Sequence, residues 1–170
     1  MLSEKIEKAL NDQLKLEAQS SHIYLAMASW AENQGFPGIA NFLYSHSDEE
    51  RMHMMKLLRY INERGGSADI PQLEKPVFAF NGITALFESL RDHEIAVTIS
   101  INNVVHECLG EKDYSTHNFM QWYVAEQLEE EALAHDILDK LKLIGGNAGG
   151  LYMFDRDVAS FHQTGNAQPQ

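Results

Sequence analysis

The sequence predicts an all-α fold: four long helices in a bundle, a long crossover between helices two and three, and a short fifth helix at the C-terminus. Three observations carry this. Four long segments repeat apolar residues at helical spacing. Glycine and proline punctuate the junctions, and only four prolines occur in 170 residues. One linker, between the second and third segments, is far longer than a helical hairpin needs. The length suits one domain with a substantial core, residues 1–163, followed by a disordered tail over 164–170.

The first helix runs from about Ser3, its N-cap, to Asn33 and places Ile6, Leu10, Glu17, Tyr24 and Ala28 on one side. Gly35, Pro37 and Gly38 separate it from a second helix, about Gly38 to Arg64, which Gly65-Gly66 ends. Here Ile39, Leu43, His46, Glu50, His53, Leu57 and Tyr60 alternate four- and three-residue steps, which makes one face. The third, about Thr84 to Gly110, repeats the pattern with Phe87, Leu90, Glu94, Val97, Ile101, Val104 and Cys108. The fourth, about Ser115 to Ile144, aligns Phe119, Tyr123, Glu126, Glu130, Leu133, Ile137 and Leu141 before Gly145-Gly146. A short piece from about Leu151 to His162 has an apolar side of Leu151, Phe154, Val158 and Phe161. A lone bundle would leave that side exposed, which fits assembly.

The linker from Gly66 to Ile83 contains Pro71 and Pro76. Extended, it could span up to roughly 60 Å, whereas such a helix is only about 40 Å long. It can therefore return to the far end of the bundle and set helix three parallel to helix two. In that topology Glu17, Glu50, Glu94 and Glu130 all stand roughly 20–24 Å up the bundle, in one layer.

Composition narrows the function. Thirteen basic and 25 acidic residues give a formal charge of −12, which argues against nucleic acid or an anionic membrane as partner and favours cations. Cys108 has no intramolecular partner for a disulfide, the N-terminus lacks a signal-peptide core, and no apolar run is long enough to span a bilayer. A cytoplasmic location is the expectation.

A carboxylate on the inner stripe of each helix is costly unless something pairs it. Four glutamates match two divalent cations, and without them each would raise the others' pKa values. An oxygen-rich set with one imidazole, Glu50-x-x-His53, and no thiolate favours iron or manganese over structural zinc. One well-held metal is expected near Glu17, Glu50 and His53. A weaker one is expected near Glu50, Glu94 and Glu130, with Gln127 close by where a symmetric site would carry a carboxylate. Glu49, Glu126 and Glu129 read either as a third cation site or, with Glu129-Glu130-Glu131, as a solvated run. Tyr24 reads either as a phenol serving the site, by a hydrogen bond or an electron, or as a core tyrosine. Trp122 reads as packing before electron donor, His46 as a core histidine, and Met52, Met54 and Met55 as packing.

With these residues and this crossover, the chain resembles the bacterial non-haem ferritins over nearly its whole length. Ferritin-like di-iron bundles carry one long crossover, inward glutamates and Glu-x-x-His. The resemblance implies ferroxidase ligands at Glu17, Glu50, His53, Glu94, Gln127 and Glu130. It implies a third iron site at Glu49, Glu126 and Glu129 with Glu130 shared, and places the family's site tyrosine at Tyr24. It also implies a hollow shell of twenty-four identical subunits, with the fifth helix at the four-fold axes. Such a shell oxidises Fe(II) with dioxygen or hydrogen peroxide and stores Fe(III) mineral inside. Two departures matter. Arg51 stands where bacterioferritins have a haem-ligating methionine, so no haem is expected. His117 and Met120 align with the acidic three-fold channel positions of animal ferritins, which leaves the iron route open. The alternative is a rubrerythrin-like di-iron peroxidase or oxygenase that retains its metals, although Cys108 alone cannot supply a rubredoxin-like domain. A non-catalytic helical module is the third reading.

Overall fold

The computed structural model describes residues 2–164. The expected disordered tail, but for the backbone of Thr164, lies outside the described residues. Five α-helices follow in order: α1 (Glu4–Asn33), α2 (Pro37–Glu63), α3 (Ile83–Gly110), α4 (Tyr114–Ile144) and α5 (Ala148–Asp157). A 3-10 segment, Val158–Thr164, completes them. The helix edges have local causes. Ser3 Oγ accepts from Ile6 N–H at 3.3 Å to cap α1. At the end of α2, Gly65 takes a φ of 78° and Gly66 N–H reaches back to Ile61 O. Asp113 caps α4 through Thr116 N–H at 3.0 Å. The fifth helix starts three residues earlier than the sequence suggests because Asn147 caps it through Gly150 N–H.

Side-chain pairs fix the topology. Between α2 and α4, His46 meets Glu130, Tyr123 donates to the His53 carbonyl, and Tyr60 meets Thr116. These are steps of seven on both helices in opposite sense, so the two are antiparallel. Between α1 and α3, Ser20 meets His93, Gln13 meets Ser100, and Lys5 pairs with Glu107. These helices are also antiparallel. With α3 and α4 joined by a tight turn, α3 runs parallel to α2, as the crossover requires.

The linker achieves this by climbing α1. Ser67 N–H donates to Glu7, Asn11 bonds both Ser67 O and Asp69 N–H, and Gln19 exchanges two bonds with the backbone of Glu74. At the top, Phe80 packs edge-on to Trp30 at 5.4 Å. The amides of Asn11 and Gln19 thus satisfy linker backbone that no sheet or helix would.

The core has two apolar halves. One holds Ile6, Leu10, Leu57, Ile101 and Met120; the other holds Met27, Leu43, Phe87, Ile137 and Phe154. Between them lies a buried polar layer that includes Glu17, His46, Glu50, His53, Glu94, Gln127 and Glu130. Two sequence expectations are corrected. The buried face of α4 is Thr116, Met120, Tyr123, Gln127, Glu130, Ala134, Ile137 and Leu141, whereas Phe119, Glu126 and Leu133 are only half-buried. Large side chains drew the reading to the flank, while small Ala134 sits at the centre of the face. The apolar side of α5 is not left exposed either. Phe154 and Val158 bury against the bundle, and Asp155 Oδ1 accepts Ile39 N–H at 2.8 Å, which caps α2 where Phe36 offers no side-chain cap.

Candidate metal centre

All four helices supply one carboxylate each to the polar layer. Glu17, Glu50, Glu94 and Glu130 are each 5 % exposed or less. The first group is Glu17, Glu50 and His53, whose ligand atoms lie within 4.8 Å of one another. His53 Nδ1 stands 3.3 Å from Glu50 Oε2 and 3.7 Å from Glu17 Oε2. Glu50 and His53 are one turn apart on α2, and α1 brings Glu17 across to them. These are the three residues that the sequence groups around its first expected metal.

Electrostatics mark the same place. Burial works against a charged His53, but bonds to Glu17 and Glu50 outweigh it and lift the imidazole to about 10. Burial also raises Glu50 well above the carboxylate range, with His53 opposing and Glu17 reinforcing. Glu94 rises to about 8, first through burial and then through the charge of Glu130. Without a metal the layer therefore holds protons at neutral pH. Such carboxylates beside an imidazole suit divalent cations, which supply the charge that protons supply otherwise.

On the α3–α4 side, Gln127 Nε2 donates to Glu94 Oε2 at 3.0 Å and to the Glu94 carbonyl at 3.2 Å. Gln127 thus presents its amide nitrogen to Glu94. Glu130 faces α2 instead, with Oε2 at 3.6 Å from His46 Nε2. His46, Glu49 and Glu130 form a second group of possible ligands, and Glu49, His53 and Glu126 form a third. Glu129 is exposed and lies outside both groups.

His46, which the sequence favours as a core histidine over a ligand, is buried and stands in a group of possible ligands. Its Nδ1 lies 3.1 Å from the Phe42 carbonyl, which can only accept, so Nδ1 carries a proton. A backbone carbonyl on the far nitrogen is also the usual support of a metal-binding histidine. The His46-x-x-Glu49 spacing mirrors Glu50-x-x-His53, but Glu49 lies off the stripe that periodicity selects, so the spacing alone did not mark it.

Tyr24 is fully buried, its ring edge-on to His46 at 6.2 Å and to His93 at 5.9 Å. Its hydroxyl meets no hydrogen-bond partner among the described residues, so the bond to a ligand carboxylate is not formed here. Trp122 is half-buried, edge-on to His53 at 5.1 Å, with the Lys56 ammonium 3.3 Å over its ring. Arg51 is exposed on α2, and His117 is half-buried. Met120 is fully buried in the apolar core, so it cannot line a channel from this subunit.

Comparison with known proteins gives the same picture. The family model of the ferritin-like domain matches residues 7–144. The chain is 46 % identical over 160 residues to a probable bacterial non-haem ferritin-like protein of Haemophilus influenzae, covering 94 % of this chain and 97 % of that one. It is 42 % identical to a bacterial non-haem ferritin of Campylobacter jejuni, over 93 % and 95 % of the two. Among solved structures, an open-pore ferritin from the hyperthermophilic archaeon Archaeoglobus fulgidus superposes with a TM-score of 0.92 at 41 % identity, covering 94 % of this chain and 98 % of that one.

Proposed function

The chain belongs to the ferritin family, and from that premise we propose that it is an iron-storage protein that oxidises Fe(II) and keeps the product as Fe(III) mineral. The observation that carries this is the Glu17, Glu50 and His53 group inside a buried layer that also contains Glu94, Gln127 and Glu130. One Fe(II) binds at the first group. A second binds between Glu50, Glu94 and Glu130, with Glu50 as the bridge. Each ion gives one electron to a shared dioxygen, which takes up two protons and leaves as hydrogen peroxide, or peroxide itself serves as oxidant. The apolar halves above and below the layer exclude bulk water, while the carboxylates hold the growing positive charge.

Fe(III) then moves toward the outer acidic positions Glu49, Glu126 and Glu129, with Glu130 as the shared step. His46 joins Glu49 and Glu130 on that path. Tyr24 stands between buried His46 and half-buried His93, placed to serve the site as a source of an electron.

Storage needs a container, and we read the chain as one subunit of a hollow homo-oligomer of twenty-four in the cytoplasm. Exposed apolar side chains support a large contact area. Val77 and Phe78 of the linker are 70 % and 54 % exposed, and Leu128 and Leu143 of α4 are 72 % and 88 %. No helix among the described residues is long and apolar enough to cross a membrane.

Stepwise aerobic addition of Fe(II) to apo protein, followed by gel filtration, tests the reading. Iron retained far beyond two or three ions per chain in a large assembly is the expected result. Saturation at two or three would leave a di-iron enzyme instead.

A further inference from the structure

Gln13 is fully buried on α1, one turn before Glu17, and its amide bridges two helices. Nε2 donates to Glu17 Oε1 at 2.7 Å, and Oε1 accepts from Ser100 Oγ of α3 at 2.6 Å. Chemistry fixes this orientation. A carboxylate can only accept, so the nitrogen must face Glu17, and the amide oxygen is left to take the serine proton. Gln127 plays the matching part on α4, where Nε2 reaches Glu94 Oε2 at 3.0 Å and Thr98 Oγ1 at 3.2 Å. Each of these two glutamates therefore has one oxygen tied to a glutamine amide. The other oxygen of Glu17, Oε2, is the one turned toward His53.

We propose that Gln13, locked by Ser100, is a positioning residue that holds Glu17 as a one-oxygen ligand of the first metal and so sets how tightly that ion binds. The inference rests on the reading that this group binds iron. A tied Oε1 cannot rotate into the site, so the carboxylate offers Oε2 alone. Without the amide, Glu17 is free to chelate with both oxygens or to turn toward His53, and the preset geometry is lost. Removing such a supporting partner typically costs ~10- to 100-fold in metal affinity.

Anaerobic titration of the apo protein with Co2+, whose visible bands report ligand number, tests this without oxidation chemistry. Gln13→Leu is expected to weaken the first Co2+ equivalent ~10-fold and shift its bands. It should also raise the Fe(II) concentration for half-maximal oxidation by a similar factor, and change the maximal rate less. Ser100→Ala should move the same quantities by about threefold, the size of one lost neutral hydrogen bond, and Ser100→Thr should restore the parent values. A variant with a lower Tm but parental Co2+ affinity and bands would show that Gln13 only fills space, and would overturn the inference. If Gln13→Leu does not assemble, Ser100→Ala decides by the same two readouts. A parent that neither binds Co2+ nor oxidises Fe(II) would sink the iron-site reading. A parent that does both, matched by its variants, sinks this inference alone.

Discussion

His53 Nδ1 lies 3.3 Å from Glu50 Oε2, one turn earlier on the same helix, and the same nitrogen faces Glu17 from α1 at 3.7 Å. In the metal-free chain a proton on this imidazole offsets part of two buried carboxylate charges. A metal ion at the same place must displace it, since a ligating histidine is neutral.

Proton release on binding follows from that competition. At pH 7 both His53, raised to about 10, and Glu94, raised to about 8, carry protons in the apo protein. Anaerobic addition of two Fe(II) per chain should release protons at pH 7 and about one fewer at pH 9, where Glu94 is already ionised. A pH-stat or indicator dye measures this directly. Binding without proton release would mean that the layer is already ionised and that the burial argument is wrong.

The same shifts make the apo fold less stable as pH rises. Glu94 and His53 hold protons in the fold at pH values where the unfolded chain has lost them, above the usual carboxylate and imidazole ranges. The contribution of these two groups is therefore fully present below their unfolded values and is lost as pH rises through about 8 for Glu94 and about 10 for His53. Apo Tm should fall by roughly 5–10 °C between pH 5 and pH 9, and Glu94→Gln should flatten the lower part of that slope. A Tm that rises over this window would reverse the assignment.

The two histidines of α2 should separate by function. His53→Ala removes a ligand of the first group and should slow the fast oxidation phase at least roughly tenfold. His46→Ala leaves Glu17, Glu50 and His53 intact, so anaerobic titration should still find the tight first Fe(II) and the weaker second one but lose the third. Stopped-flow oxidation and equilibrium titration distinguish the outcomes. Equal effects on the fast phase would place His46 among the first pair's ligands.

Periodicity made the bundle legible in the sequence. The inner stripes of α1 and α3, Ile6 to Ala28 and Phe87 to Cys108, are buried throughout, and equal heights brought the four glutamates into one layer. The α3 direction was legible because chain length alone limits what a linker can reach. Three features were not legible. Gln13 is a polar residue on a helix until its two partners are known, and Ser100 lies on another helix. His46 has a half-buried partner, Glu49, off the stripe that periodicity selects. Asp155 caps α2 from the far end of the sequence, a contact that local spacing cannot encode.

That last contact gives the sharpest stability prediction. A Cβ at position 38 would overlap the backbone carbonyl oxygen of Asp155, so only glycine lets α5 lie this close to the start of α2. Backbone cannot step aside as a flexible side chain can, so Gly38→Ala must push α5 outward. The displacement breaks the Ile39 to Asp155 bond, a capping interaction of about 1 kcal/mol. It also uncovers Phe154 and Val158, each costing about 1.5–3 kcal/mol if fully exposed. Gly38→Ala should therefore lower Tm well beyond Asp155→Ala, which removes the cap alone, while Asp155→Asn keeps an acceptor and should fall closest to the parent. Glu17, Glu50 and His53 come from the bundle helices rather than α5, so all three variants should keep the fast oxidation phase. A Gly38→Ala protein as stable as the parent would show that α5 is held by something other than this close approach.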